Sequence, residues 1–223
     1  GMDNKKNNNR PQLLRALSAL SSQHVDELDK KNFDDFVSHA VKQHLDIDYL
    51  NKPLETIFWN IYGLYRLARL PDGEFFSDGV YRGQVKAFNP AQETDGWECD
   101  HSVIYVNHPD KPFLVDSLRI ALHAHGIKIH NLRSAPLWIT RNEKGAAVSA
   151  VSEKTPKANL EALITVEIEL CEDDELESLS TKLWAVLDDL ESVVGDFQSM
   201  LEDLKLLIDG FESAVPETEN FQE

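Results

Sequence analysis

His101-Ser-Val-Ile-Tyr-Val-Asn-His-Pro-Asp-Lys-Pro-Phe-Leu-Val-Asp-Ser-Leu118 decides the fold. Residues 101–107 are β-branched and aromatic, which is strand composition. Asp110 and Pro112 then mark a helix start, as N-cap and first-turn proline. Leu114, Leu118, Ala121, Leu122 and His125 line one face of a helix over 112–125, and Gly126 ends it. A strand that feeds a tight turn into a helix presents free N–H groups, which can hold a carboxylate. Asn107, Asp110 and Pro112 are therefore the candidate effector-binding residues. A well-capped helix is the plainer reading of the same turn.

Moving toward the C-terminus, a strand follows from Ile127 to about Ile139. Asn142-Glu-Lys-Gly145 is a hairpin turn, and Ala146–Ser152 returns from it. In 161–170, Ile164, Val166, Ile168 and Leu170 alternate with Thr165, Glu167 and Glu169, as in a half-exposed strand. Beyond Glu175, apolar residues recur in steps of three and four from Leu176 to Phe211. Leu187, Val194, Leu201 and Ile208 add a third column. A stripe that wide suits a helix lying on a sheet better than a two-stranded coiled coil. Gly195 is a point where this helix can kink or divide.

The order from residue 101 is strand, helix, strand, strand, strand, helix. It predicts an α+β fold, close to a split β-α-β arrangement: an antiparallel sheet with helices on one face. A further strand at 81–88 widens the sheet and can take the place of the missing final strand.

Toward the N-terminus, helical spacing returns. Leu13, Leu14, Leu17 and Leu20 follow Pro11; Phe33, Phe36, Val37, Ala40 and Val41 follow Asn32 as N-cap; Ile57 to Ala68 follow Pro53. Residues 11–75 read as a helical subdomain. Residues 1–10 read as a disordered tail and 212–223 as a frayed one. Gly1 before Met2 reads as the residue left when a tag is removed.

The net charge is −17, and residues 161–223 hold nineteen Asp and Glu against two Lys. That acidity repels phosphate backbones, so no nucleic-acid partner is expected, and it reads as a solvated helix surface. No stretch is apolar enough for a membrane span. Cys99 and Cys171 read as reduced cytosolic thiols. The ten glycines never occur as Gly-x-Gly, so the dinucleotide fingerprint is absent. No catalytic, cofactor-binding or metal-binding residue is assigned. His123 and His125 lie two apart on a helix and cannot jointly ligate, and His130 does not complete a set with them. Glu167 and Glu169 share a strand face as any half-exposed strand's residues do.

One resemblance joins these pieces. Glu93-Thr-Asp-Gly-Trp97, Val106-Asn107, Pro112-Phe-Leu-Val-Asp-Ser117, Gly126 to His130 and Ile164–Leu170, in this order and spacing, resemble the amino-terminal region of the large bacterial NAD-specific glutamate dehydrogenases. The likeness spans roughly residues 30–205. It implies an ACT-like module over 80–211 and a cytoplasmic, homo-oligomeric parent that uses NAD to oxidise glutamate. Its partners would be the downstream domains of the same polypeptide. No cofactor belongs to this segment, whose role would be regulation or assembly. The alternatives are an amino-acid sensor and a free-standing enzyme. Asp110-Lys-Pro112 and Leu114 also resemble the ACT loop that reads Asp-Arg-Pro-Gly-Leu, with Phe113 at the glycine. Glycine there lets a ligand approach the backbone, so phenylalanine favours assembly over effector binding.

Overall fold

A computed structural model describes residues 9–69, 76–190 and 201–211. The expectations for the tail before residue 9, for Gly195 and for 212–223 lie outside the described residues.

Four helices come first: α1 (Arg10–His24), α2 (Glu27–Gln43), the short α3 (Ile47–Leu50) and α4 (Leu54–Arg69). A small ribbon of β1 (Phe76–Ser77) and β2 (Val80–Tyr81) leads into β3 (Gln84–Phe88), a turn of helix α5 (Gln92–Asp95) and β4 (Ser102–Pro109). Then follow α6 (Leu114–Ala124), β5 (Ile129–Arg141), β6 (Ala147–Val151), β7 (Asn159–Ile168) and α7 (Asp173–Asp189). Residues 201–211 are helical.

One antiparallel sheet has the order β3-β4-β7-β5-β6. Its β4-α6-β5-β6-β7-α7 series is the expected order of strand, helix, strand, strand, strand, helix. β3 lies antiparallel beside β4, in the place of the missing final strand. Its outer edge is covered, because the Ala87 N–H donates to Ser180 Oγ of α7 at 2.8 Å. A covered edge cannot template further pairing.

The period of two in the strands separates two cores. Ile104, Val106, Ile164, Val166 and Ile168 pack on Leu114, Leu118 and Leu122 of α6 and on Leu176, Leu179, Leu183 and Leu187 of α7. Both helices therefore lie on one face, as their order predicts. Val103, Tyr105, Leu137, Ile139 and Leu163 point the other way, onto Leu17 of α1, Phe36 and Val41 of α2, and Ile57 and Phe58 of α4. Each fully buried side chain of this kind contributes roughly 1.5–3 kcal/mol.

Three sequence expectations need correction. The face of β7 read as half-exposed is covered: Leu163 and Glu161 are nearly inaccessible and Thr165 and Glu167 only slightly less so, because the N-terminal helices pack there. α2 begins at Glu27, after Asp26, and not after Asn32. Its first turn carries Glu27 and Asp29, which suit the positive helix end, and the exposed Leu28, so the apolar stripe starts a turn late. α6 begins at Leu114 and not at 112, and Asp110 is not its cap.

Candidate functional site

The joint between β4 and α6 is where the sequence places its site. The Asp110 N–H donates to Leu160 O at 2.9 Å and so extends the β4–β7 ladder by one step. Asp110 and Pro112 are exposed. The residue at the helix entrance is Phe113, with φ +68° and ψ 7°, and no side chain caps the N-terminus. Left-handed backbone costs a residue with a Cβ about 1–2 kcal/mol. The Phe113 ring is partly buried against the α6–α7 core. Phenylalanine thus keeps the left-handed backbone expected of glycine while its ring packs against the core.

Asn107 is fully buried and belongs to the opposite sheet face. Its Nδ2 donates to Glu161 Oε1 at 3.0 Å and to Ala162 O at 3.4 Å. Its Oδ1 accepts from the Tyr81 hydroxyl and, at 3.2 Å, from Arg141 Nη2. The structure therefore does not gather Asn107 with Asp110 and Pro112.

What it gathers around Asn107 is a buried polar cluster that the sequence reading missed. Arg141 donates through Nε and Nη2 to the two carboxylate oxygens of Glu161, at 2.9 and 2.7 Å. Its Nη1 reaches Gly145 O in the hairpin turn at 2.7 Å, and its Nη2 reaches Ala68 O at the end of α4 at 2.8 Å. The guanidinium lies 3.8 Å above the Tyr81 ring centroid. Burial pushes the Tyr81 hydroxyl well above its ordinary range, so it stays protonated and donates. One charged side chain thus ties sheet, hairpin and helix end together. The missed signal was the need of the N-terminal helical stripes for a sheet face, which turns Glu161 inward.

A second cluster sits on the same face. Arg133 pairs with Glu167 at 3.4 Å and lies 4.4 Å over the Tyr49 ring, and Lys52 reaches Glu167 at 3.3 Å. Asn60 links two tyrosines, donating to Tyr49 Oη and accepting from Tyr105 Oη, each at 2.8 Å. Burial raises both phenols far above their usual range. A cavity of about 30 Å³ opens beside Arg133, Ile61 and Leu163. That is room for about one water.

A larger open groove, about 970 Å³, runs between α4 and the Glu93–Trp97 turn, past Trp59, Tyr62, Arg66 and Lys86. Gly96 explains its own place there. With φ +80° it ends α5, and a Cβ would stand 2.7 Å from the Trp59 ring. Only glycine fits that turn without strain. Among the described residues, no group of three or more His, Cys, Asp or Glu side chains is placed to hold a metal, and no helix is long and apolar enough to cross a membrane.

Comparison with known proteins agrees with this architecture. The pattern described as glutamate dehydrogenase, ACT1 domain, matches residues 33–183. The chain belongs to this family. Two relatives, both named NAD-specific glutamate dehydrogenase, are similar to it. The Pseudomonas aeruginosa protein is 35% identical over 107 residues, covering 47% of this chain and 7% of that protein. The Halomonas elongata protein is 36% identical over 108 residues, with the same shares. The chain thus matches only a small part of each relative's length. No solved structure matches the chain. The ACT1 match runs from Phe33 in α2 to Leu183 in α7, so it takes in helices on both faces of the sheet as well as the strands.

Proposed function

We propose that this ACT1 chain is the amino-terminal, non-catalytic domain of an NAD-dependent glutamate dehydrogenase, and that it serves assembly rather than effector sensing. The parent enzyme, on this reading, is a cytoplasmic homo-oligomer. Its downstream domains convert glutamate and NAD to 2-oxoglutarate, ammonia and NADH. Family membership and the relatives' names support the parent's chemistry.

One observation favours assembly. Phe113 occupies the left-handed turn at the head of α6, at the position where the ACT loop that this stretch resembles has glycine, and its side chain packs against the core. The buried partners of Asn107 strengthen the case, since they hold a candidate contact inside the sheet face. Calorimetric titration of the chain with NAD and a panel of amino acids tests the proposal. It predicts no saturable heat from any of them. An amino acid bound against residues 107–114 in a crystal structure would install the sensor reading instead.

A further inference from the structure

His44 lines the small cavity beside Arg133, and its ring meets that of His39. Five residues along a continuous α-helix, two side chains point about 140° apart. Here α2 ends at Gln43, and the chain leaves the helix at His44, with φ −120° and ψ −16°. The Leu45 N–H turns back to Ala40 O at 3.0 Å, as does that of His44 at 2.9 Å. The Arg10 side chain donates to the carbonyls of Val41, Lys42 and Leu45 and holds this end closed. The unwinding brings the His44 ring against that of His39, with centroids 4.9 Å apart and planes at 61°. The two Nε2 atoms face each other at 3.3 Å.

We propose that His39 and His44 form a two-imidazole site for a tetrahedral divalent metal, with zinc the best fit. Zinc holds imidazole nitrogen at about 2.0–2.1 Å, and the tetrahedral angle then separates two such nitrogens by about 3.3–3.4 Å. Neighbouring corners of a tetragonal site of similar bond length lie only about 2.9 Å apart, so copper(II) fits less well. Both rings are partly exposed, which leaves the other two corners to water. Without metal, one Nε2–H donates to the other Nε2. On binding, that ring's proton moves to its own Nδ1, so both Nε2 lone pairs face the ion.

The test is calorimetric titration of the chelator-treated full chain with zinc chloride, alongside His39→Ala, His44→Ala and a His101→Ala/His130→Ala double variant. His101 and His130 form the other histidine stack, with centroids 4.3 Å apart. The proposal expects one equivalent of zinc bound by the wild type and by the double variant. Each single variant should weaken it on the order of tenfold or more. Should His44→Ala fail to fold, His39→Gln decides. No zinc binding by the wild type, or equal affinity in the His39 variants, overturns the site; the latter would mark an adventitious ion elsewhere.

Discussion

Arg141 and Glu161 meet as a two-pronged ion pair, at 2.9 and 2.7 Å, with both side chains more than nine-tenths buried. The pair joins strands β5 and β7 beneath the last turn of α4. Its energetics are asymmetric. Removing one partner strands a buried charge, so Glu161→Ala should cost about 3–5 kcal/mol. Replacing both partners by apolar residues of similar volume removes the charges together and should cost far less. Urea denaturation of the two single variants and the double variant measures this. Additive losses would show that the pair is not coupled as the geometry requires.

Phe113 makes an unusual ordering of variants. Phe113→Gly removes a partly buried ring and also relieves about 1–2 kcal/mol of left-handed strain. Phe113→Ala removes the ring and keeps the strain. Thermal melts should therefore rank wild type and Phe113→Gly close together, with Phe113→Ala clearly lowest. Asp110→Ala should move stability by no more than about 0.5 kcal/mol, since the carboxylate does not cap α6. A loss near 1 kcal/mol would restore Asp110 as the cap.

Val166 lies at the centre of the sheet, fully buried under α6 and α7. Val166→Asp introduces an unpaired charge there and should destabilise by at least about 3 kcal/mol. Thr165→Asp also meets protein, because the N-terminal helices cover its face. It should destabilise as well, which a sheet open on one side would not show. Chemical denaturation of the two variants separates these cases.

The strand and helix order from residue 101 was legible because period two and period 3.6 follow directly from which face is buried. The position of β3 and the shared face of α6 and α7 followed from that order. The second face was not legible. Glu161, Thr165 and Glu167 look like solvent-facing residues in any alternating strand, and only long-range packing of α1, α2 and α4 turns them inward. The stripe beyond Glu175 is sheet-facing at Leu176, Leu179, Leu183 and Leu187, but it is narrower than the sequence suggested: Val186 is 40% exposed, and Leu207, Ile208 and Phe211 of the same pattern are exposed. Arg141 gave no local signal, since apart from Gly145 its partners, Ala68, Tyr81, Asn107 and Glu161, lie in four separate and distant segments. The Asp110 cap failed because Phe113 tolerates a conformation that sequence rules reserve for glycine.

Both cysteines are partly buried, and burial is the first cause that raises each thiol above its ordinary value. Thiolate is the reactive form. Reaction with Ellman's reagent at neutral pH should therefore be slow for Cys99 and Cys171 in the folded chain, and should quicken on unfolding in urea. Rapid labelling of the native protein would show a thiol more accessible than the structure allows.

The proposed assembly role is tested most directly by sedimentation of the proposed parent glutamate dehydrogenase lacking this ACT1 segment, alone and with the segment added back as a separate chain. The account predicts that the truncated enzyme sediments as a smaller species, and that the added chain co-sediments with it and restores the larger one. A truncated enzyme that keeps its full assembly and ignores the added chain would contradict it.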